Sequence, residues 1–319
     1  MKIKTKLHWK TDFVGKQVQK GSTPVEEVVD FPAFRQYRID LQNSSIGKLI
    51  FGKVDPRVEV TERIEPFDGI PTRVLVYRPK GLNEVRPGLL YFHGGGWVLG
   101  TPEQAGWFCA KIAADLNMVV VAPSYRLAPE HPYPAAIDDA WSALVWLERH
   151  KKELGISSYS VGGDSAGGNL AAAVALKARE TNHFQIDTQV LIYPAVEMYD
   201  VYESEKENAH AYVLTAAGMH AFVRLYLADA YGTEDYLVSP LRAEHHRDLP
   251  PAIIITAGHD PIRDHGIKYK EALEEAGVDV VWHHEPGTIH GFMALPGACP
   301  PAKPALKAIE SFLIGRLGT

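Results

Sequence analysis

The run Tyr159–Asn169, Tyr-Ser-Val-Gly-Gly-Asp-Ser-Ala-Gly-Gly-Asn, constrains this chain more than any other stretch. Tyr159 to Val161 read as a short apolar strand. Gly162 and Gly163 follow, the chain turns at Asp164-Ser165, and Ala166, Gly167 and Gly168 open an alanine-rich helix with Leu170, Val174 and Ala178 on one side. A strand that passes through one sharp turn straight into a helix needs tiny residues on both sides of the turn, because the helix must pack back on the sheet. Gly163, Ser165 and Gly167 fit the pattern Gly-x-Ser-x-Gly, in which a strained turn lifts the serine hydroxyl above a sheet edge. The helix start aims free N–H groups and its positive dipole end at the same point. A plain glycine-rich turn with a surface serine would also satisfy the pattern. The deciding question is whether the rest of the chain supplies a base, an acid and an oxyanion site at that edge.

Elements of both periods surround this run. Val58 to Ile64 and Thr72 to Tyr77, joined by Phe67-Asp68-Gly69-Ile70, predict an antiparallel pair. Strands at Gly88–Phe92, Met118–Ala122, Thr188–Ile192, Ala252–Ala257 and Val278–His283 then alternate with helices at Gln104–Leu116, Ala135–Arg149, Ile262–Ala276 and Pro304–Leu317. With the run at Tyr159 this makes eight strands. Their central members are apolar throughout, as strands covered on both faces should be, and helical crossovers imply parallel pairing. The expectation is an α/β fold with an eight-stranded, mostly parallel sheet and helices on both faces.

Two segments stand outside that alternation. Residues 1–50 are polar and mixed, with helical spacing at Val25–Val29 and Phe31–Leu41 interrupted by Pro24 and Pro32, and predict short helices ahead of the sheet. The long connection between Ile192 and Ala252 carries helical spacing over Tyr212–Tyr226. An insertion at the carboxyl end of a sheet strand lies beside the site. The expected organisation is N-terminal cap helices over 1–50, a core over 51–194 and 236–319, and an inserted cap segment over 195–235.

Charge and cysteine content narrow the partners. A net charge of −6 gives no footprint for nucleic acid. Cys109 and Cys299 form no disulfide framework, and Cys109 reads as a core filler. Lys2, Lys4, Lys6 and Lys10 precede no apolar run, so no signal peptide is expected. No stretch approaches the ~20 apolar residues of a membrane span. These features predict a soluble, cytoplasmic protein.

Acyl transfer at a serine needs a base, and fourteen histidines leave composition undecided. His245 and His246 lie in a polar run and read as solvated; His283 and His284 end a strand and read as structural or surface residues. His290 stands in Gly287-Thr288-Ile289-His290-Gly291-Phe292, a loop after the last strand that opens on the same sheet edge as Ser165. It is the candidate base. Asp260, directly after the strand at Ala252–Ala257, is the candidate acid that orients the imidazole. Asp260 also suits a helix start before Pro261, and Asp264, one helical turn on, reads as structural. His93-Gly94-Gly95-Gly96-Trp97 follows the strand ending at Phe92. Its glycines let backbone N–H groups face a developing oxyanion. Gly95 and Gly96 are the expected donors, with Ala166 as a third at the helix start, and His93 reads as an architectural residue.

His93–Trp97, Tyr125–Ala135, Gly163–Gly167, Asp260–Asp264 and His290–Phe292 occur in one order, and together they resemble the hormone-sensitive lipase family. This is the bacterial family IV of esterases, in its Gly-Asp-Ser-Ala-Gly branch. The resemblance runs from about Val58 to the end of the chain. It implies an α/β-hydrolase fold with a helical cap and hydrolysis of short- to medium-chain acyl esters without cofactor or metal. It carries the family's roles to Ser165, Asp260 and His290 as triad and to Gly95, Gly96 and Ala166 as oxyanion donors. His265 departs from the glutamate usual at its position, and Thr288 from a bulkier residue. A plant gibberellin receptor of similar fold has lost its histidine, whereas His290 is present here; an amidase or deacetylase would share the same triad. The sequence specifies no oligomeric state.

Overall fold

The computed structural model describes residues 3–21, 23–181 and 183–318. Helices α1 (Trp9–Gly21), α2 (Phe31–Asn43) and α3 (Ser45–Ile50) precede a hairpin of β1 (Val58–Phe67) and β2 (Ile70–Pro79). Then follow β3 (Arg86–Phe92), α4 (Gly106–Leu116), β4 (Val119–Pro123), α5 (Ala135–His150), β5 (Ile156–Asp164), α6 (Ala166–Thr181) and β6 (Ile186–Ile192). The long connection holds α7 (Glu203–Glu207) and α8 (Ala216–Leu227). The chain closes with β7 (Ala252–His259), α9 (Arg263–Glu275), β8 (Val280–Ile289) and α10 (Ala302–Leu317).

The strands form one sheet in the order β1-β2-β4-β3-β5-β6-β7-β8, with β1, β2 and β4 joined antiparallel and every later pair parallel. Asp68 and Gly69, both at positive φ, make the two-residue turn that sets the Phe67–Ile70 register. Side chains alternate between two cores. Leu90, Phe92, Val119, Val121 and Ile254 face α5, α6 and α9, while Leu89, Tyr91, Val120, Ala122 and Ile253 face α4 and α10. This is why the central strands read as unbroken apolar runs: both faces of the sheet are covered. Truncating one such residue, as in Leu90→Ala, would cost about 2–5 kcal/mol through the cavity it leaves.

A third, smaller core joins the N-terminal segment to the rest. Val25 and Phe31 pack with Val98, Leu99 and Ala128, and Ala221, Phe222 and Leu225 of α8 lie against them. Arg35 of α2 ties this contact down, donating to the carbonyls of Val98 at 2.7 Å and Ala128 at 2.6 Å and pairing with Glu130.

Several local expectations are corrected. Pro32 does not interrupt a helix. It lies in the first turn of α2 behind the Asp30 cap, which accepts from the Ala33 N–H, and there a missing proline N–H leaves no bond unmade. Residues 9–21 and 45–50 are helical although no apolar stripe announced them. The helix expected from Tyr212 begins at Ala216, capped by Thr215, and Gln104 belongs to a 3₁₀ turn ahead of α4. The last strand continues past His283 to Ile289, paired with β7 up to His259 opposite Ile289, and residues 5–8 lie beside its end, with Thr5 N–H donating to Pro286 O and His8 N–H to Gly287 O. His284 is therefore buried, bonded to Thr256 and to the Ile3 carbonyl, and His246 is buried against the Pro240 carbonyl rather than solvated.

Candidate active site

The turn between β5 and α6 puts Ser165 at φ +57°, a left-handed conformation that costs a non-glycine residue about 1–3 kcal/mol. Its backbone is pinned from three sides: the N–H donates to Ile192 O at 2.9 Å, and the carbonyl accepts from Asn169 and Ala195. A Cβ on Gly163 would collide with the Gly167 carbonyl, and one on Gly167 with the Phe92 carbonyl. These two glycines are required by close approach of the helix to the sheet.

His290 follows β8 directly. Its Nε2 lies 2.9 Å from Ser165 Oγ, and its Nδ1 lies 2.8 Å from Asp260 Oδ2. With Nδ1–H donating to the carboxylate, Nε2 is left free to accept the serine proton. Asp260 is fully buried, and its other oxygen accepts from the Ile262 N–H at 2.9 Å, ahead of α9. Tyr193 packs its ring on the imidazole, centroids 4.7 Å apart. Asp264 does not reach the imidazole's side of the loop. It accepts from the Ser204 N–H and from Arg263, and so joins α7 to α9.

The loop after β3 lies across from Ser165. Gly94 N–H is used up by Asp164 Oδ1 at 3.0 Å, whereas the Gly95 and Gly96 amides meet no acceptor among the described residues. Both of these glycines have positive φ, and a Cβ on Gly96 would strike the Phe222 ring. Ala166 is the first residue of α6, where an N–H has no partner within the helix. His93 is buried and neutral: burial pushes its imidazole down to about 4, Nδ1 lies 2.8 Å from Gly94 O, and the ring stacks on Tyr125.

The structure thus brings Ser165, His290 and Asp260 into one hydrogen-bonded line, with Ala166 next to Ser165 in the chain and Gly96 lining a cavity with it. Two further residues escaped the sequence reading. Asp164 is buried under the glycine loop that follows β3 and accepts from Tyr91 O–H as well as from Gly94; burial pushes its carboxyl up to about 6. A charged residue between a buried strand and Ser165 was the available signal. His265 lines a cavity beside Ser165, together with Gly96, Trp97, Met219 and Phe222. The room inside is about 30 Å³, a space of water size. Among the described residues no cluster of three His, Cys, Asp or Glu side chains is placed to hold a metal.

A mostly parallel sheet with a serine, an imidazole and a carboxylate in line at the carboxyl ends of its strands defines a serine hydrolase of the α/β-hydrolase fold. The family of that description matches residues 89–294. The chain is 42% identical to the esterase LipI of Mycobacterium tuberculosis over 69% of either chain, and 38% identical to the carboxylesterase NlhH of the same organism over 78% of this chain and 80% of that one. A thermostable esterase from Pseudomonas putida, of solved structure, superposes with a TM-score of 0.86 at 33% identity over 98% of both chains. The chain belongs to the hormone-sensitive-lipase-like family, bacterial family IV, and it is a carboxylic ester hydrolase. No helix among the described residues is long and apolar enough to cross a membrane.

Proposed function

We propose that Ser165 is the nucleophile, His290 the general base and acid, and Asp260 the group that orients His290. The observation that carries this reading is the imidazole hydrogen-bonded to both partners at once, 2.9 Å from Ser165 Oγ and 2.8 Å from Asp260 Oδ2. His290 Nε2 takes the Ser165 proton as Oγ attacks the ester carbonyl. The negative charge that forms on the carbonyl oxygen is met by the N–H groups of Gly95, Gly96 and Ala166, a contribution of several kcal/mol in such sites. His290 then gives its proton to the departing alcohol. Water, deprotonated by the same nitrogen, attacks the acyl-serine and releases the acid, and Oγ recovers its proton.

The preferred acyl chains are short to medium. The small room beside Ser165 supports the short end, and longer chains need Met219 and Phe222 of α8 to move. Residues 1–50 and 195–235 act as a cap over this cavity, a reading supported by the shared core of Val25, Phe31 and α8. A cytoplasmic location fits two free, buried cysteines.

The test is a series of p-nitrophenyl esters of rising chain length with the wild type and Ser165→Ala, alongside labelling by an organophosphonate. Turnover by the wild type should fall off with chain length. The variant should lose roughly 10³–10⁶ in kcat, and the label should sit on Ser165. A label on another serine, with activity kept in Ser165→Ala, overturns the assignment.

A further inference from the structure

The cavity beside Ser165 contains a polar group that the hydrolytic steps do not use. His265, in the first turn of α9, is 3% exposed and meets Tyr202 edge-on at 5.6 Å. Its Nδ1 is sealed from solvent without a hydrogen-bond partner. Burial pushes the imidazole down to about 4, so near neutral pH the ring offers one N–H donor and one bare acceptor nitrogen. Other polar groups on the cavity wall are engaged. Glu197 accepts from Arg242 and from the Tyr199 N–H, Asp200 pairs with Arg242 at 3.1 Å, and Glu205 pairs with His220 at 2.8 Å. Trp97 Nε1 is unpartnered too, but it is sealed from open space, and its indole is held face to face on Tyr226, 4.5 Å away. The other ring nitrogen of His265, Nε2, has no hydrogen-bond partner among the described residues and is not sealed, so it is the one a substrate oxygen can meet. Leaving a buried polar group of this kind unpaired costs about 1–3 kcal/mol.

The mechanism decides which arm of the ester meets His265. The leaving alcohol must lie within reach of His290 Nε2 to receive its proton. With the alcohol held at His290 Nε2, the cavity that Ser165 and Gly96 line is left to the acyl chain.

We propose that His265 is a specificity residue, hydrogen-bonding an oxygen carried on the acyl chain, and that the preferred substrates are esters of keto or hydroxy acids. The inference rests on Ser165 being the nucleophile. An apolar wall with one unpartnered imidazole discriminates in a particular way. An alkyl chain leaves the ring nitrogen facing the cavity unpaired; a hydroxyl pairs with it in either tautomer, and a keto oxygen, which only accepts, pairs with it when that nitrogen carries the proton. A site built to hydrogen-bond a substrate oxygen rejects the analogue without it far more strongly than an apolar site rejects a missing methylene.

The experiment uses two pairs of p-nitrophenyl esters of matched shape: 4-oxopentanoate against 4-methylpentanoate, and 3-hydroxybutanoate against 3-methylbutanoate. The ratio of kcat/KM within each pair is measured for the wild type, His265→Phe and His265→Leu, so that the intrinsic reactivity of each ester cancels between proteins. In at least one pair the oxygenated-to-alkyl ratio should fall about tenfold in both variants, on the scale of one lost hydrogen bond. Alkyl turnover by the wild type with ratios unchanged in the variants overturns this inference alone. No turnover of any ester by the wild type removes the esterase reading, and this inference with it. Should neither variant fold, crystals of the Ser165→Ala protein with the 4-oxopentanoate ester decide: the keto oxygen lies within hydrogen-bond distance of a His265 ring nitrogen, or it lies elsewhere and the assignment is wrong.

Discussion

Asp164 gives a sharp test of how the loop that carries Gly95 and Gly96 is held. One of its oxygens accepts from both Tyr91 O–H and Gly94 N–H at 3.0 Å, and burial raises its pKa from the ordinary 3.8 to about 6. At ~1.4 kcal/mol per pKa unit, this is ~3 kcal/mol of disfavoured charge in the folded protein. The folded-state pKa lies above the unfolded one, so the protein binds this proton more tightly when folded. The contribution to stability is fully present below the unfolded pKa of 3.8 and is lost as pH rises through about 6. Roughly half of it, ~1.4 kcal/mol, disappears between about pH 5 and pH 8. Asp164→Asn keeps an acceptor oxygen for both donors and removes the titration. Urea unfolding of both proteins at these two pH values should show the stability difference moving in favour of the asparagine variant by ~1.4 kcal/mol on going to the higher pH. Asp164→Ala differs in kind, because it leaves the Gly94 N–H and Tyr91 O–H buried and unpaired at about 1–3 kcal/mol each. It also frees the loop that carries Gly95 and Gly96, so kcat should fall by ~10², the loss of about one oxyanion donor. A stability difference between the wild type and Asp164→Asn that is the same at both pH values would refute the argument that burial dominates at this site.

Asp260→Asn should leave the fold intact and lower kcat by roughly 10⁴, since the imidazole is then held in the wrong tautomer. Asp264→Asn should instead lower the melting temperature, through the weakened Ser204 and Arg263 contacts, with kcat kept within a few-fold; the opposite pattern would move the triad acid to Asp264. Removing residues 1–45 takes away Val25, Phe31 and Arg35 from the third core and should both lower the melting temperature and change chain-length selectivity. An unaltered selectivity profile and melting temperature would show that this segment does not cap the cavity.

What was legible in the sequence follows from what is local. The turn at Ser165 is dictated by Gly163 and Gly167, whose hydrogens face carbonyls with no room for a Cβ, and such a requirement is visible in a window of a few residues. The doubly covered parallel sheet was legible for a similar reason, since strands covered on both faces are apolar without alternation. The end of β8 was not. Pro286 and Gly287 read locally as a loop, but β7 on one edge, reaching Ile289 through His259, and the distant residues 5–8 on the other, bonding to their carbonyls, hold the strand onward. The burial of His284 comes from that same remote segment, and the burial of His246 from the Pro240 turn beneath it. Asp164 and His265 were missed because both have polar side chains whose surroundings are built by Tyr91, Gly94 and Tyr202, far away in the chain.

The loop carrying Asp260 shows why acid and cavity wall behave as one unit. Asn208 Nδ2 donates to Asp260 O at 3.1 Å, Ser204 Oγ to Pro261 O at 2.8 Å, and Arg263 pairs with Glu207 at 2.8 Å. All three partners belong to α7 or the residue that ends it, and the same short helix presents Glu205 to the cavity, where it pairs with His220 of α8. A five-residue helix has little stability of its own, so its position is set by these bonds to the loop. Movement of α7 to admit a larger acyl chain must therefore strain the loop that holds Asp260 against His290. Accommodation of bulk costs less from α8, whose Met219 and Phe222 reach the cavity from a helix that, among the described residues, is hydrogen-bonded to the Asp260 loop through Glu205 and α7. Substitutions that enlarge the cavity from α8 should alter KM and chain-length choice and spare the orientation of His290, whereas substitutions at Ser204 or Asn208 should depress kcat for every ester alike.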